Sequence, residues 1–347
     1  MFNLQSMFDL FQKPCHACAF PKEANTPTIF FEALLIILAL ALIWALSKND
    51  KMAPVKFFAA FWGATIFEIL TQSMWHNYNL GQWAYISADV SWVLGLGWAI
   101  ITTGCIYLIE NKMGLASRWK KFLATIGLFT VFGLAYESLG LLLGYRQYSQ
   151  EVLNILTKIN IPFINVPIEA LYFLPVTGAL LISFFYFWEQ WLGKNIAVPV
   201  RRMDFIKTFF VALTAVTIFD VMTHPMIKNV GFPSWGYILG NMNIVLTASG
   251  ALLLAAIVWL IDYLFKGKGQ YFRFTSYVYA ALITAVPLEM YFYSNGMRIY
   301  GEEFSKVLTG LFIPYTNIPV EVAFGTLLYV MFVMPFISYW SYIFSRK

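Results

Sequence analysis

Six carboxylates in this 347-residue chain form three pairs with one constant spacing: Glu68 with Asp220, Glu137 with Glu289, and Glu169 with Glu321, each 152 residues apart. All six fall within, or at the ends of, long apolar stretches. An ionisable group at membrane depth costs at least about 2.5 kcal/mol even on the most lenient insertion scale, so each is a candidate for chemistry. A carboxyl group buried among apolar neighbours can be held protonated at neutral pH and then serves as a proton donor. Such an acid can protonate an alkene. The cation that results is stabilised by aromatic faces, and Trp, Tyr and Phe make up 19% of the chain. The six acids are therefore read as candidate catalytic groups.

A second set of residues recurs at the same spacing and is read as candidate substrate-binding. Arg146 and Arg298 lie nine residues beyond Glu137 and Glu289, where a guanidinium either clamps an anionic group or neutralises a neighbouring acid. Asp89 and its counterpart Asn241 open apolar segments. Trp83, Tyr85, Trp235 and Tyr237 occupy short interfacial loops, where an aromatic belt is also expected. Glu169 and Glu321 follow Asn-x-Pro, so helix capping is an alternative role for both. His76 is matched by Lys228 and stands outside the duplicated set. Cys15 and Cys18 form a lone C-x-x-C, read as incidental or disulfide-linked because no second pair accompanies it.

Other chemistries lack their residues. Three histidines, none in H-x-x-H or H-E-x-x-H spacing, cannot supply a di-iron or zincin ligand set, so no metal is expected. The chain shows no N-D-x-x-D diphosphate motif, no glycine-rich nucleotide loop and no nucleophile elbow, and no cofactor is expected. Carboxylate chemistry in an aromatic pocket remains. The expected partners are a lipophilic small molecule and membrane lipid. The net charge of +5 is accounted for without nucleic acid, and the oligomeric state stays open.

The elements that carry these residues follow from composition. With 60% hydrophobic and 12% charged residues, the chain has too little charged surface to solvate a globule of its size. Nine stretches approach the roughly 20 apolar residues needed to cross a bilayer, at about 28–46, 55–74, 89–109, 122–143, 164–188, 205–226, 241–263, 274–294 and 316–342. The N-terminus lacks a signal-peptide pattern, and the first helix is expected to be retained. Loops on one side hold fifteen Lys and Arg residues against seven on the other. An inner-membrane protein with a cytoplasmic C-terminus and an external N-terminus is expected.

Sliding the chain by 152 residues aligns Thr65-Ile66-Phe67-Glu68 with Thr217-Ile218-Phe219-Asp220, and Gly144, Arg146 and Tyr148 with Gly296, Arg298 and Tyr300. Leu and Phe would match by chance, but Glu, Arg, Trp, Asn and Pro at one offset would not. The expected fold is all-α: a polytopic bundle of about nine helices, with an N-terminal polar segment and extra helix over 1–50. Four-helix repeats follow over 51–200 and 201–347. An even number of spans per unit gives both copies the same orientation, a parallel repeat.

The stretch Glu137-Ser138-Leu139-Gly140, Gly144, Tyr148, Pro162 and Val166-Pro167-Ile168-Glu169 resembles membrane-integral carotenoid-modifying proteins. It is similar to carotenoid hydratases in its acid-then-glycine helix end, and to lycopene cyclase domains in its proline-then-acid motif. The cyclase domains carry two adjacent acids, whereas Ala170 and Val322 follow Glu169 and Glu321 here. The resemblance implies cofactor-independent addition to, or cyclisation of, a polyene. Glu68 or Asp220 and Glu137 or Glu289 would then act as acid and base. A proton-coupled carrier and a non-catalytic subunit of a membrane complex are the alternatives.

Overall fold

A computed structural model describes residues 23–87, 89–193, 203–306, 310–316 and 318–345. Cys15, Cys18 and Asn317 lie outside the described residues. Among the described residues, eleven α-helices and eight short strands follow one another. The first half comprises α1 (Thr26–Ser47), α2 (Ala53–Thr71), β1 (Trp75–Asn77), β2 (Tyr85–Ser87), β3 (Val90–Ser91), α3 (Trp92–Lys112), α4 (Arg118–Leu142), β4 (Arg146–Tyr148), α5 (Gln150–Ile155) and α6 (Ala170–Gly193). The second comprises α7 (Phe205–Thr223), β5 (Ile227–Asn229), β6 (Tyr237–Leu239), β7 (Met242–Asn243), α8 (Ile244–Leu264), α9 (Gln270–Ser294), β8 (Arg298–Tyr300), α10 (Glu302–Lys306) and α11 (Val320–Ser345). Helices α2, α3 and α4 begin and end 152 residues before α7, α8 and α9, and every strand obeys the same offset.

Among the described residues, eight helices are long and apolar enough to cross a bilayer, which is compatible with a multi-pass membrane protein. Helix α9 spans 25 residues, but Arg273, Glu289 and five tyrosines dilute its apolar character. Local chemistry sets the helix starts. The Asn25 side chain accepts from Thr28 N at 2.9 Å while Thr28 Oγ1 accepts from Asn25 N at 3.1 Å, closing a capping box on α1. Ser91 and Asn243, one repeat spacing apart, cap α3 and α8.

The all-α expectation needs one correction. The loops fold into four two-stranded ribbons, among them β1 with β4 and β5 with β8. Strands of two or three residues are too short to show a period-2 pattern, so the sequence reads as loop there. These ribbons place the arginines: Asn77 pairs in register with Arg146, and Asn229 with Arg298. Gly144 and Gly296, with φ of 70° and 67°, make the left-handed turn immediately upstream of β4 and β8, a conformation that favours glycine.

Helices α6 and α11 lie at the centre. Helix α6 packs on α2 and α4 of its own half and on α7 of the other, while α11 packs on α7 and α9 and reaches back to α2. Aromatic rings fill the seam, with Phe332 5.8 Å from Phe67 and 5.3 Å from Phe184. Helix α1 covers the outer flank of α3, where Phe31 stacks on Tyr145 at 4.9 Å.

Candidate functional site

Arg146 brings two of the expected acids together. Its Nη2 lies 2.9 Å from Glu68 Oε1 and its Nη1 2.9 Å from Glu137 Oε1. Glu68 also accepts from two indoles, Trp98 Nε1 on Oε1 and Trp75 Nε1 on Oε2, both at 3.2 Å. The Trp75 ring lies under the guanidinium, 4.9 Å from its centre. The side chains of Arg146, Glu68 and Glu137 are 3%, 2% and 8% exposed. Burial alone would lower the affinity of Arg146 for its proton, but Glu137 and Glu68 outweigh it and hold the guanidinium charged. The second oxygen of Glu137 is buried and accepts no hydrogen bond.

This cluster forms one wall of a cavity whose other walls are aromatic and aliphatic: Phe67, Trp75, Trp98, Tyr148, Phe173 and Leu174 among them. Met222 enters from the second half. Glu169, at the threshold of α6, completes the lining. Its Oε1 accepts from Thr157 N at 2.6 Å and its Oε2 is buried without a partner. Burial favours the neutral acid at Glu169, yet the Thr157 hydrogen bonds prevail and hold its carboxyl below the ordinary range. The cavity offers ≈ 40 Å³ to the centres of water-sized molecules.

No family model, curated protein or solved structure matches this chain.

The second half places its residues differently. Glu289 Oε1 lies 3.0 Å from Arg298 Nε, at an angle that makes an ion pair without a hydrogen bond, and accepts from Tyr300 OH at 2.7 Å. Asp220 accepts from Thr247 Oγ1 at 2.5 Å. The indoles have no equivalents, since Trp75 and Trp98 correspond to Ile227 and Gly250. The Arg298 side chain is 19% exposed against 3% for Arg146, so the first-half cluster is the drier. Glu321 sits in the first turn of α11.

Several expected binding residues lie away from the cavity. Asp89 Oδ2 pairs with His76 Nδ1 at 2.8 Å, and its backbone oxygen accepts from Asn77 Nδ2 at 2.6 Å. Asn241 repeats the second contact, its oxygen accepting from Asn229 Nδ2 at 2.8 Å. Tyr85 and Tyr237 each donate to the backbone of the preceding strand, at Asn77 and Asn229. Trp83 and Trp235 are exposed.

The sequence reading passed over the two indoles and Glu32. Glu32, buried in α1, accepts from Gly81 N at 2.6 Å and ties the extra helix to the loop after β1. An acid inside the most apolar helix was a usable signal, whereas the indoles meet Glu68 only through tertiary packing.

Proposed function

We propose that this protein is a cofactor-independent membrane enzyme that adds to, or cyclises, a lipophilic isoprenoid by carboxylate acid–base chemistry in its first half. The observation that carries the reading is that Glu137 Oε2 and Glu169 Oε2, both buried and unpartnered, belong to residues lining one aromatic cavity. Fully ionised, Glu68, Glu137 and Glu169 against Arg146 leave two uncompensated negative charges inside the bundle, so the cluster takes up a proton. Glu137 is assigned the acid and Glu169, held as a carboxylate by Thr157, the base.

In hydration, the Glu137 proton forms a C–H bond with one alkene carbon, using the π electrons. The neighbouring carbon becomes a tertiary cation facing Trp75, Trp98 and Phe173. A water oxygen closes the C–O bond and releases its proton to Glu169, for a net gain of one water. In cyclisation, a second double bond attacks the cation and Glu169 removes the proton that restores an alkene. The aromatic walls must part to admit a chain end.

The same reading takes the constant 152-residue offset as a gene duplication, with parallel four-helix units, α9 as a ninth span and the C-terminus cytoplasmic. The test is mass spectrometry of lipid extracts from a bacterial host accumulating lycopene. Wild-type protein should yield a hydrated product or a new isomer, lost in Glu137→Gln and Glu169→Gln and retained in Glu289→Gln. A pigment profile unchanged by wild-type protein would overturn the reading for carotenoids and favour proton-coupled transport.

A further inference from the structure

A second cavity opens at the other end of the first half. Lys56, on its wall, and Glu68 are twelve residues apart on α2, about 18 Å along the helix at 1.5 Å per residue. This cavity offers ≈ 510 Å³ to the centres of water-sized molecules, on the scale of a small-ligand site. Two groups of charged side chains face it. In one, Lys56 Nζ bridges Asp50 Oδ2 at 2.8 Å and Glu189 Oε1 at 2.7 Å, an arrangement with one excess negative charge. In the other, Glu110 and Arg118 line the cavity with Arg118 Nη1 3.2 Å from Glu110 Oε1, and Lys121 Nζ, outside the lining, neutralises Glu110 from 2.6 Å, so the group carries one excess positive charge.

The cavity also holds polar groups left over. Thr103 is 4% exposed, lines the cavity, and its hydroxyl has no hydrogen-bond partner. Gln190 Oε1, on the same lining, is likewise buried and unpartnered. Tyr186 and Tyr339, stacked at 5.3 Å, supply ring surface beside them.

Duplication separates scaffold from site. The Glu110–Lys121 pair is kept in the second half as Asp262 with Arg273, 3.1 Å apart, and so belongs to the helical hairpin itself. The remaining charged residues are not kept: Lys56 and Glu189 correspond to Thr208 and Ser341, and Arg118 to Gln270. A structural brace would serve both halves alike, whereas among the described residues this charge separation occurs in one.

We propose that this cavity binds a phosphoethanolamine-type zwitterion, its ammonium against Asp50 and Glu189 and its phosphate against Arg118. The group comes either from a phospholipid headgroup or from a free phosphoethanolamine. Opposite excess charges in the two groups match a zwitterion and disfavour a purely anionic headgroup. The inference is independent of the acid–base reading, because it uses none of the same residues.

Native mass spectrometry of the full chain in detergent tests it, titrated separately with dioleoyl phosphatidylethanolamine, dioleoyl phosphatidylglycerol and O-phosphoethanolamine. We expect the ethanolamine lipid or the soluble zwitterion to bind at least about tenfold tighter than the glycerol lipid. Lipid binding alone identifies a headgroup site, and soluble binding alone a site for free ligand. Glu189→Gln and Thr103→Val should each weaken that binding several-fold while the thermal transition stays in place. Should either variant fail to fold, the other carries the test. Equal affinity for the two lipids, or undiminished binding in folded variants, would overturn the proposal.

Discussion

His76 Nε2 lies 3.6 Å from Glu303 Oε2, joining the first strand of one half to the short helix α10 of the other. The reverse contact runs between the positions offset by 152 residues: Glu151, on α5, feels the charge of Lys228 on β5 and accepts from Glu303 N at 3.2 Å. His76 and Lys228 occupy equivalent positions, as do Glu151 and Glu303, so the halves exchange acid–base contacts crosswise. These contacts sit one residue from Asn77 and Asn229, the strand partners of the two arginines. The crossed contacts therefore brace the ribbons that hold the guanidinium groups.

This bracing predicts a measurable coupling. In a double-mutant cycle, His76→Phe and Glu303→Gln should show a coupling of about 0.2–1 kcal/mol, the range of partly exposed pairs. Thermal unfolding of the four proteins in one detergent measures it, and strict additivity would remove His76 from the contact between halves.

Arg146 should matter more to stability than Arg298. Replacing Arg146 by Gln strands two buried carboxylates, at a cost of about 3–5 kcal/mol. Arg298→Gln removes one partner from a site whose arginine is 19% exposed, and its loss should be clearly smaller. Unfolding midpoints compare them directly; equal losses would mean that the two clusters are energetically alike despite their different burial.

The spacing of the acids and arginines made their partnership readable, because one offset repeated Glu, Arg and Gly together. The path between partners was not readable. Glu68 and Arg146 are 78 positions apart, and the ribbon that joins their neighbourhoods rests on strands of three residues. The aromatic positions misled for a related reason: Trp83 and Trp235 repeat faithfully yet are exposed, whereas Trp75 and Trp98, which do not repeat, hold Glu68. Repetition reports what the fold needs in both halves. The two cavities are lined mostly by first-half residues whose types do not recur at the 152-residue offset, joined by Met222 and Tyr339 from the second half.

Glu169 should make stability pH-dependent with a definite sign. Its carboxyl is held below the ordinary range by the Thr157 hydrogen bonds, against the opposing effect of burial, so the folded state favours the ionised form. That stabilisation is fully present above the ordinary carboxyl value and is lost as pH falls through the lower folded value. The gap in unfolding midpoint between wild type and Glu169→Gln should therefore narrow between about pH 6 and about pH 3. A gap that widens on acidification would show that Glu169 is held neutral in the fold, which would exchange its role with that of Glu137.

Two glycines of α3 give opposite expectations. A Cβ on Gly97 would strike the Tyr136 hydroxyl, which donates to Leu94 O at 3.1 Å and whose ring meets Trp98 at 5.0 Å. Gly97→Ala must displace that ring and with it the Trp98 indole on Glu68, so it should destabilise by about 1–3 kcal/mol and lower product formation. Gly104, with nothing within 4 Å of the corresponding position, should tolerate alanine and gain up to about 1 kcal/mol of helix stability. Unfolding midpoints and pigment yields of the two variants, measured side by side, separate loss of the Glu68 support from a general intolerance of α3 to substitution. If Gly97→Ala lowered stability while full yield persisted, the indole contact to Glu68 would be structural only.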